Sequence, residues 1–229
     1  MMTARIGWVP KDGREINENE DRAGVGARRF AVADGASTTA RPEIWADILV
    51  YSYVAERNDP FHPVVLAQLR AQWHHEVTQL GLPWYAERKL QEGGAATFVG
   101  LDLDEDTQRY QATAVGDTCL MHWRDTTLLV AGPLNLPDQF SNTPDLVSTH
   151  AGDHRHQAAI WHAYGDYQPG DRFVLATDAL AKYLLHQQLC GFSVDLDDAL
   201  DRFDDWVVDA RVGDGLGNDD TTVVQVVTL

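Results

Sequence analysis

The sequence is poor in cysteine and in long apolar runs, and each shortage excludes a class of protein. Only two cysteines, Cys119 and Cys190, occur in 229 residues, so neither a disulfide framework nor a cysteine-based zinc site is expected. The N-terminal residues lack an apolar core of signal-peptide length, and no segment approaches the roughly 20 apolar residues of a membrane span. We therefore expect a cytoplasmic protein with reduced, buried thiols and no membrane partner.

Basic residues are also scarce. The chain has 18 Lys and Arg against 35 Asp and Glu, which gives a formal net charge of −17. Such a surface repels the phosphates of nucleic acids and anionic lipids, so we expect neither as a partner. No glycine-rich loop follows a predicted strand, which argues against a Rossmann or Walker nucleotide site. The length is within the range of one domain, which is predicted to span 1–229.

Two clusters of helical periodicity flank a region of short β-rich runs. The helices are predicted at Glu43 to Arg57, Pro63 to Leu80, Trp84 to Glu92, Leu180 to Leu189 and Leu196 to Val212. The strands between and beside them, separated by tight turns, are predicted at 30–33, 96–103, 110–115, 119–124, 128–130, 160–164, 172–176 and 221–228. Short turns between consecutive strands imply antiparallel pairing. The pattern favours an α+β protein with helices over antiparallel sheets.

Four short acidic segments carry most of the functional information. They are Asn19-Glu20-Asp21-Arg22, Val32-Ala33-Asp34-Gly35, Ala176-Thr177-Asp178-Ala179 and Asn218-Asp219-Asp220-Thr221. The last three place a carboxylate at the end of a β-rich run or just before one, where the strand fixes its direction. Asp is common in turns for structural reasons. Carboxylates that converge without basic partners repel one another, however, and oxygen ligands of this kind favour Mg²⁺ or Mn²⁺ over Zn²⁺.

Six segments also form a specific ordered set, although each is weak alone. They are Asn19-Glu20-Asp21, Val32-Ala33-Asp34-Gly35, Gly94-Ala95-Ala96-Thr97, Ala114-Val115-Gly116-Asp117-Thr118, Phe173-Val174-Leu175-Ala176-Thr177-Asp178 and Asp219-Asp220-Thr221-Thr222. From about Gly13 to Val227 the chain resembles the metal-dependent Ser/Thr protein phosphatases of the type 2C (PPM) group, in their compact bacterial form. The resemblance implies a four-layer α/β/β/α sandwich with two central antiparallel β-sheets.

The same resemblance implies a chemistry and a set of site residues. The implied activity is hydrolysis of phosphoserine and phosphothreonine on proteins by water activated between two Mn²⁺ or Mg²⁺ ions. A phosphorylated protein substrate and a cognate Ser/Thr kinase pathway are the implied partners. The metal pair would be held by Asp34, which bridges the ions, Asp178, Asp219 and the Gly35 carbonyl. Glu20 and Asp21 of the acidic motif would act directly or through water, and Asp117 would help to hold a third, weaker ion.

Several positions depart from the family's pattern. A histidine that some members carry after Asp-Gly is Ala36 here, and three other family residues are replaced by Cys119, Ala179 and Asp220. The arginine that grips phosphate is expected five residues before Asp21, a position that Ile16 occupies. Arg14 is therefore the candidate for that role, with Arg5 and Arg22 as substitutes. These departures affect substrate grip and leaving-group protonation, and they leave the metal carboxylates intact.

The departures keep two other functions open. One is a regulatory pseudophosphatase that binds a phosphoprotein without turnover, and the other is a small-molecule phosphoesterase with the same metal chemistry. Elsewhere in the chain, His150, His154 and His156 with Asp153 are read as a polar loop in preference to a metal site. The proline-rich segment Leu134 to Leu146 is predicted to form a loop near the site and to contribute to substrate recognition.

Overall fold

The computed structural model describes residues 1–79 and 90–229 and contains two antiparallel β-sheets. The first sheet is formed by β1 (Met2–Val9), β6 (Cys119–Arg124), β7 (Thr127–Gly132), β10 (Arg172–Ala176) and β11 (Thr221–Thr228). Its strand order is β1-β11-β10-β6-β7. The strand β1 therefore lies at one edge and pairs with β11, which is more distant in sequence than any other strand of this sheet.

The second sheet contains the strand that carries Asp34. Its strands are β2 (Arg22–Val25), β3 (Arg29–Gly35), β4 (Ala95–Asp104), β5 (Arg109–Val115), β8 (Val147–Ser148) and β9 (Trp161–Asp166). The order is β2-β3-β4-β5-β9, and the short β8 pairs with β4. The central strands β3 and β4 are apolar on both faces because one face meets the other sheet and the opposite face meets helices.

The helices form two groups on opposite sides of the sheets. The first group is α1 (Pro42–Val54) and α2 (Pro63–Gln79), and each helix begins with a proline, as is common at the first helical position. The short helix α3 (His156–Ala159) lies on the same side, with His156 beside Phe61. The second group is α4 (Asp178–Leu189), α5 (Leu196–Asp201) and α6 (Phe203–Asp209), and a π-helical turn, Ala210–Asp214, follows α6. No helix in the described part of the chain is long and apolar enough to cross a lipid bilayer.

Three apolar cores separate four layers. One core lies between the first helix pair and the second sheet and contains Trp45 and Phe98. Another lies between the first sheet and the helices α4 to α6 and contains Leu180. The third joins the two sheets through residues such as Val32 and Leu175. The predicted α/β/β/α sandwich with two antiparallel sheets is therefore confirmed.

The sequence-based prediction lacks β1, β2, β8 and the short helix α3, and it differs from the structure in one long helix. Hydrophobic periodicity does not detect β1, because this edge strand mixes Arg5 and Gly7 with apolar residues that remain partly exposed. The single helix predicted at 196–212 is divided, since Arg202 has a non-helical backbone with φ of −141°. The helix predicted from Trp84 to Glu92 lies mostly outside the described residues, and its last residues, 90–91, are helical.

Candidate metal centre

Three of the predicted metal ligands lie where strands end at one edge of the sandwich. Asp34 is the penultimate residue of β3, and Asp178 is the first residue of α4, two positions after the end of β10. Asp219 precedes β11, which pairs antiparallel with β10 so that Ala176 lies opposite Val223. The end of β10 and the start of β11 therefore share an edge, which places Asp178 near Asp219.

A cavity of about 520 Å³ opens at this edge and is lined by residues from both sheets. Of the seven residues predicted to bind metal, six line it: Glu20, Asp34, Gly35, Asp117, Asp178 and Asp219. Asp21, the seventh, is buried beside the cavity and interacts electrostatically with Asp34. The remaining wall includes Asp220, Thr97 and residues 36–38, 141–144 and 146. Part of the segment predicted to shape recognition, Leu134 to Leu146, thus forms one side of the cavity.

Asp117 enters the cavity from the turn between β5 and β6. Gly116 precedes it with φ of +97°, a left-handed conformation that glycine adopts without steric cost. A Cβ atom at Gly116 would also lie 2.5 Å from the side chain of Thr97 and 2.7 Å from the backbone oxygen of Asp145. Asp117 itself is only 4% exposed. The glycine therefore permits the turn that points a buried carboxylate toward the other acids.

Gly35 has a different packing requirement. A Cβ atom on this residue would lie 2.8 Å from the backbone oxygen of Glu20 and 2.9 Å from the backbone of Pro42. Only glycine therefore allows the end of β3, the acidic loop and the start of α1 to approach so closely. This contact holds Asp34 and Glu20 on the same side of the cavity, which Gly35 also lines.

Asp34 lies at the electrostatic centre of the cluster. Burial raises the pKa of Asp34 well above its usual range. The negative charges of Asp21, Asp178, Asp117 and Asp219 raise it further, in that order of strength. Four carboxylates from four separate chain segments are therefore close enough to act on one side chain, as the sequence pattern predicts.

The pKa values of three more acids in the cluster, Asp117, Asp21 and Asp178, are raised as well. Burial, followed by the charges of Asp178 and Asp219, raises the pKa of Asp117 to about 7. Burial and Asp220 raise the pKa of Asp21 to about 8. The pKa of Asp178 is also raised, first by burial and then by Asp219. Raised values of this kind show that the ionised cluster is unfavourable without a compensating positive charge.

Asp21 provides a local test of whether the site fits a cation. Its side chain is 3% exposed, and neither carboxylate oxygen has a hydrogen-bond partner. The hydroxyl groups of Thr222 and Thr177 are near enough to lower its pKa but lie outside hydrogen-bond geometry. A buried carboxylate without partners is costly. This arrangement fits a site in which a cation, or water bound to a cation, supplies the missing interaction.

The donor atoms also decide which metal ions fit. Among residues 1–79 and 90–229, no three His, Cys, Asp or Glu side chains are placed so that they alone could hold one ion. Mg²⁺ does not require such a cage, because it usually keeps several waters and binds through one or two carboxylates. The cavity offers carboxylates, the Gly35 carbonyl and hydroxyl groups, which are hard oxygen ligands. The residues therefore fit Mg²⁺ or Mn²⁺ ions that retain part of their water shell.

Asp220, at the position where the resemblance predicts an asparagine, holds two loops of the site together. It is 5% exposed, and one of its oxygens accepts the backbone N–H of Lys11 at 2.9 Å. The other oxygen accepts the backbone N–H of Glu20 at 2.7 Å. A carboxylate can accept at both oxygens, whereas an asparagine side chain has one acceptor oxygen. The departure at this position therefore strengthens the frame of the site.

The predicted phosphate-binding arginine, Arg14, is placed outside the cavity lining. It lies at the surface, and its Nη1 donates to the Glu18 carboxylate at 2.8 Å. The two substitutes are also engaged. Arg5 donates to Asp201 on α5, and Arg22 donates to the backbone oxygens of the acidic motif. None of the three arginines is among the residues that line the cavity.

Lys11 is the basic residue that sequence reasoning misses. Its Nζ lies 3.5 Å from a carboxylate oxygen of Asp219, and its charge lowers the pKa of Glu20 against the raising effect of burial. Its side chain is 27% exposed. Lys11 lies outside every motif of the resemblance, so its position becomes evident only from the fold. A second lysine, Lys182, acts on Asp178 from the next turn of α4.

The structure also bears on the predictions made for the two cysteines and for the histidine loop. Cys119 is buried, and burial raises the pKa of its thiol to about 12, as expected for an unreactive cysteine. Cys190 is exposed, contrary to the prediction, because it lies at the end of α4, where Gly191 turns the chain with φ of +80°. The histidine loop forms no metal site among the described residues, and His156 is buried beside Phe61.

The comparisons with known proteins find similarity in structure alone. No model of a known protein family matches the sequence, and no curated protein matches it. The chain is similar to the Ser/Thr phosphatase Stp1 from Staphylococcus aureus, with a TM-score of 0.69 and 12% identity over 100% of this chain and 96% of the other. It is similar to the photosystem II phosphatase PBCP, with a TM-score of 0.67 and 16% identity over 100% and 99% of the two chains.

A third similar structure was determined with metal ions. The catalytic domain of the Ser/Thr protein phosphatase PstP, in complex with 2 manganese ions, aligns over 100% of both chains with a TM-score of 0.64 and 17% identity. The protein therefore has the fold of the compact PPM-type Ser/Thr phosphatases, as the ordered motifs predict. At these identities the likeness establishes the fold and leaves activity to be argued from the site.

Proposed function

We propose that this protein is a metal-dependent phosphatase that hydrolyses phosphoserine and phosphothreonine monoesters on proteins. The observation that carries the proposal is the carboxylate cavity, in which four aspartates act on Asp34 at the edge of a PPM-type sandwich. A site that only binds a phosphorylated partner would gain nothing from buried acids that repel both one another and a phosphate group. Such acids are useful where divalent cations are required.

In this proposal the acids hold two Mn²⁺ or Mg²⁺ ions, and Asp117 helps to hold a third. Asp34, Asp178, Asp219 and the Gly35 carbonyl would hold the pair. Glu20 and Asp21 orient the water shell. The ions would supply an activated water at neutral pH and positive charge for the phosphoryl oxygens. Ser37 donates a hydrogen bond to Glu20 and so fixes the direction of that carboxylate.

Phosphoryl binding also needs a positive charge from the protein. We assign this role to Lys11, whose ammonium group is already beside Asp219. Arg14, the candidate from the sequence, would first have to leave Glu18, to which it is bonded. Because a lysine binds phosphate as a point charge, whereas an arginine forms paired hydrogen bonds, this site would hold the phosphoryl group with less directional control.

The proposed partners follow from the substrate class. A phosphoprotein phosphatase implies a Ser/Thr kinase that supplies its substrates, and PstP and Stp1 are themselves named Ser/Thr phosphatases. The chain's formal net charge of −17 opposes contact with nucleic acid or anionic lipid. The proline-containing wall at 141–144 is the part of the cavity that a bound phosphopeptide would touch.

A regulatory pseudophosphatase remains the second candidate, and one observation favours it. None of the predicted arginines lines the cavity, and the histidine that some family members carry is Ala36. Such a protein would bind a phosphorylated partner without releasing phosphate. The two candidates therefore differ in turnover, which can be measured directly.

The test is hydrolysis of p-nitrophenyl phosphate and of phosphothreonine peptides by the purified protein, with Mn²⁺, with Mg²⁺ and with excess chelator. The phosphatase proposal expects turnover with metal and none with chelator, and the folded protein should recover activity when metal is returned. Activity on p-nitrophenyl phosphate without activity on peptides would indicate a small-molecule phosphoesterase. Binding of phosphopeptide without release of phosphate would support the pseudophosphatase, and turnover in chelator would refute the metal mechanism.

A further inference from the structure

Arg211 is a buried basic residue that none of the motifs includes. It lies in the π-helical turn Ala210–Asp214 after α6, and its side chain is only 5% exposed. The guanidinium group lies between two loops that are about 200 positions apart in the sequence. One loop follows β1 and contains Pro10 and Asp12, and the other precedes β11 and contains Asp219.

The guanidinium joins these loops through four hydrogen bonds. Its Nη1 donates to the backbone oxygen of Pro10 at 3.1 Å and to the carboxylate of Asp12 at 2.8 Å. Its Nη2 donates to the backbone oxygen of Asp219 at 2.6 Å and to the hydroxyl of Thr221 at 3.2 Å. Only a planar group with several fixed donors can satisfy acceptors on both sides in this way.

Both loops carry residues of the candidate site. Lys11 follows Pro10, and its Nζ meets the Asp219 carboxylate at 3.5 Å. The same two loops are also joined by the backbone N–H of Asp12, which donates to the side chain of Asn218 at 2.8 Å. Arg211 thus bonds the backbone on both sides of the contact between the Lys11 ammonium group and the Asp219 carboxylate.

The position of Asp219 depends on its backbone more than on its side chain. The Asp219 side chain is 55% exposed, and its carboxylate is contacted by Lys11 and by the backbone N–H of Asp220. Its backbone oxygen, in contrast, accepts from the Arg211 guanidinium and from the Thr221 hydroxyl. The direction in which Asp219 presents its carboxylate is therefore set largely by the group that holds the main chain.

We propose that Arg211 is a positioning residue of the metal centre, which holds Asp219 and Lys11 in the geometry that binds the metal ion and the phosphoryl group. The inference rests on the proposed function, because it requires Asp219 to bind metal. Arg211 acts through the backbone of Asp219 and does not line the cavity. Groups that orient a metal ligand typically change metal affinity about 10- to 100-fold when they are removed.

The competing explanation is that Arg211 only fastens the two loops and stabilises the fold. The two explanations predict different results for Arg211→Met, which removes the donors but keeps a long apolar stem. If Arg211 only stabilises the fold, Arg211→Met has a lower melting temperature, and the metal affinity of the folded protein is unchanged. A positioning role weakens Mn²⁺ binding in protein that is still folded.

The experiment measures the Mn²⁺ dissociation constant by calorimetry and by electron paramagnetic resonance of free Mn²⁺, for the wild-type protein and for Arg211→Met. Arg202→Met is the matched control, because Arg202 precedes the neighbouring helix, is 53% exposed, and contacts Asp198 and Asp209 at 3.8 Å away from the site. We expect binding about 10- to 100-fold weaker for Arg211→Met and unchanged binding for the control. Turnover at saturating Mn²⁺ should recover most of the wild-type kcat.

Each remaining outcome is informative. Wild-type Mn²⁺ affinity in folded Arg211→Met would overturn the positioning role and leave the proposed function intact. Failure of the wild-type protein itself to bind Mn²⁺ would overturn both. Should Arg211→Met not fold, Arg211→Gln, which retains a side-chain NH₂ group as donor, serves as the second variant. For this variant weaker Mn²⁺ binding supports the proposal, and wild-type affinity contradicts it.

Discussion

Replacement of Lys11 by methionine tests which basic residue contacts the phosphoryl group. Lys11→Met removes the ammonium group but retains most of the apolar stem. Its Nζ is 3.5 Å from a carboxylate oxygen of Asp219, a residue that lines the cavity that would receive the phosphate. Arg14→Met is the control, because Arg14 is exposed, is bonded to Glu18 and comes from the same loop. We expect the lysine variant to lose substrate affinity and the arginine variant to keep it.

The expected size of the loss follows from the exposure of the lysine. A hydrogen bond to a charged group contributes about 1.5–3 kcal/mol, and 1.4 kcal/mol corresponds to a factor of ten. The Lys11 side chain is 27% exposed, so solvent screening favours the lower part of this range. We therefore expect kcat/KM to fall roughly 10- to 30-fold in Lys11→Met, mainly through KM. The Arg14→Met value should remain within about twofold of the wild type.

Two measurements separate phosphate binding from an effect on the metal. Steady-state kinetics with p-nitrophenyl phosphate give KM and kcat, and calorimetry gives the Mn²⁺ affinity of each variant. Because Lys11 competes with a cation for Asp219, its removal should leave Mn²⁺ affinity unchanged or strengthen it. A wild-type kcat/KM in Lys11→Met would refute the assignment, as would an equal loss in Arg14→Met.

Three further predictions concern the cluster, its packing and the opposite end of the molecule. Asp178→Asn should lower turnover by at least about 10³-fold. The metal-free variant should melt at the same or a higher temperature than the wild type, because a repelling charge is removed. Normal turnover in the kinetic assay would contradict this prediction. Gly35→Ala should weaken Mn²⁺ binding and destabilise the fold by about 1–3 kcal/mol in urea titrations, whereas Gly152→Ala, which has open space around it, should do neither. Burial alone would raise the pKa of Asp171, but hydrogen bonds from Arg124 and other donors hold it at about 2. The ionised Asp171 carboxylate therefore stabilises the fold above its unfolded pKa of about 4, and this effect is lost as the pH falls toward 2. Asp171→Asn should lower the free energy of unfolding by about 2 kcal/mol at pH 7 and by almost nothing at pH 2. An equal loss at both pH values would disprove the linkage.

The strand-end acids were accessible to sequence reasoning because strand periodicity and acid position are both local signals. An apolar run such as Phe30 to Ala33 predicts a buried strand, and the acid that follows must leave the core at its end. Convergence of Asp34 with Asp178 and Asp219 is not a local signal. It was predicted from the order of the motifs, and the structure places all three at one cavity.

The residues that the sequence did not reveal act through contacts between distant segments. Lys11 and Arg211 belong to no motif, and each becomes relevant only because β1 pairs with β11. In the sequence, Asp220 is recognisable only as a departure from the resembled motif, and its two backbone hydrogen bonds explain why an acid is suitable there. Periodicity also fails for β1, since an edge strand needs no continuous apolar run.

Arg14, the candidate from motif spacing, bonds Glu18 and is not among the residues that line the cavity. The chain between β1 and β2 contains a short 3₁₀ turn, Ile16–Glu18. The carboxylate of Glu18 in this turn accepts a hydrogen bond from the Arg14 guanidinium. Spacing along the sequence gives the number of residues in this loop, but it does not predict which of their side chains face the acidic cluster. The path brings Lys11 beside Asp219, five positions earlier than the position that spacing suggests and three earlier than Arg14.

The pairing of β1 with β11 has a consequence for protein synthesis. In the register Met2 lies opposite Thr228, so the edge strand has no partner until residues 221–228 have left the ribosome. Translation proceeds at roughly 5–20 residues per second, so Asp34 would be made about 10–40 s before Asp219 can join it. For most of its synthesis the nascent chain therefore lacks the complete acidic cluster, which forms only after the last strand has emerged.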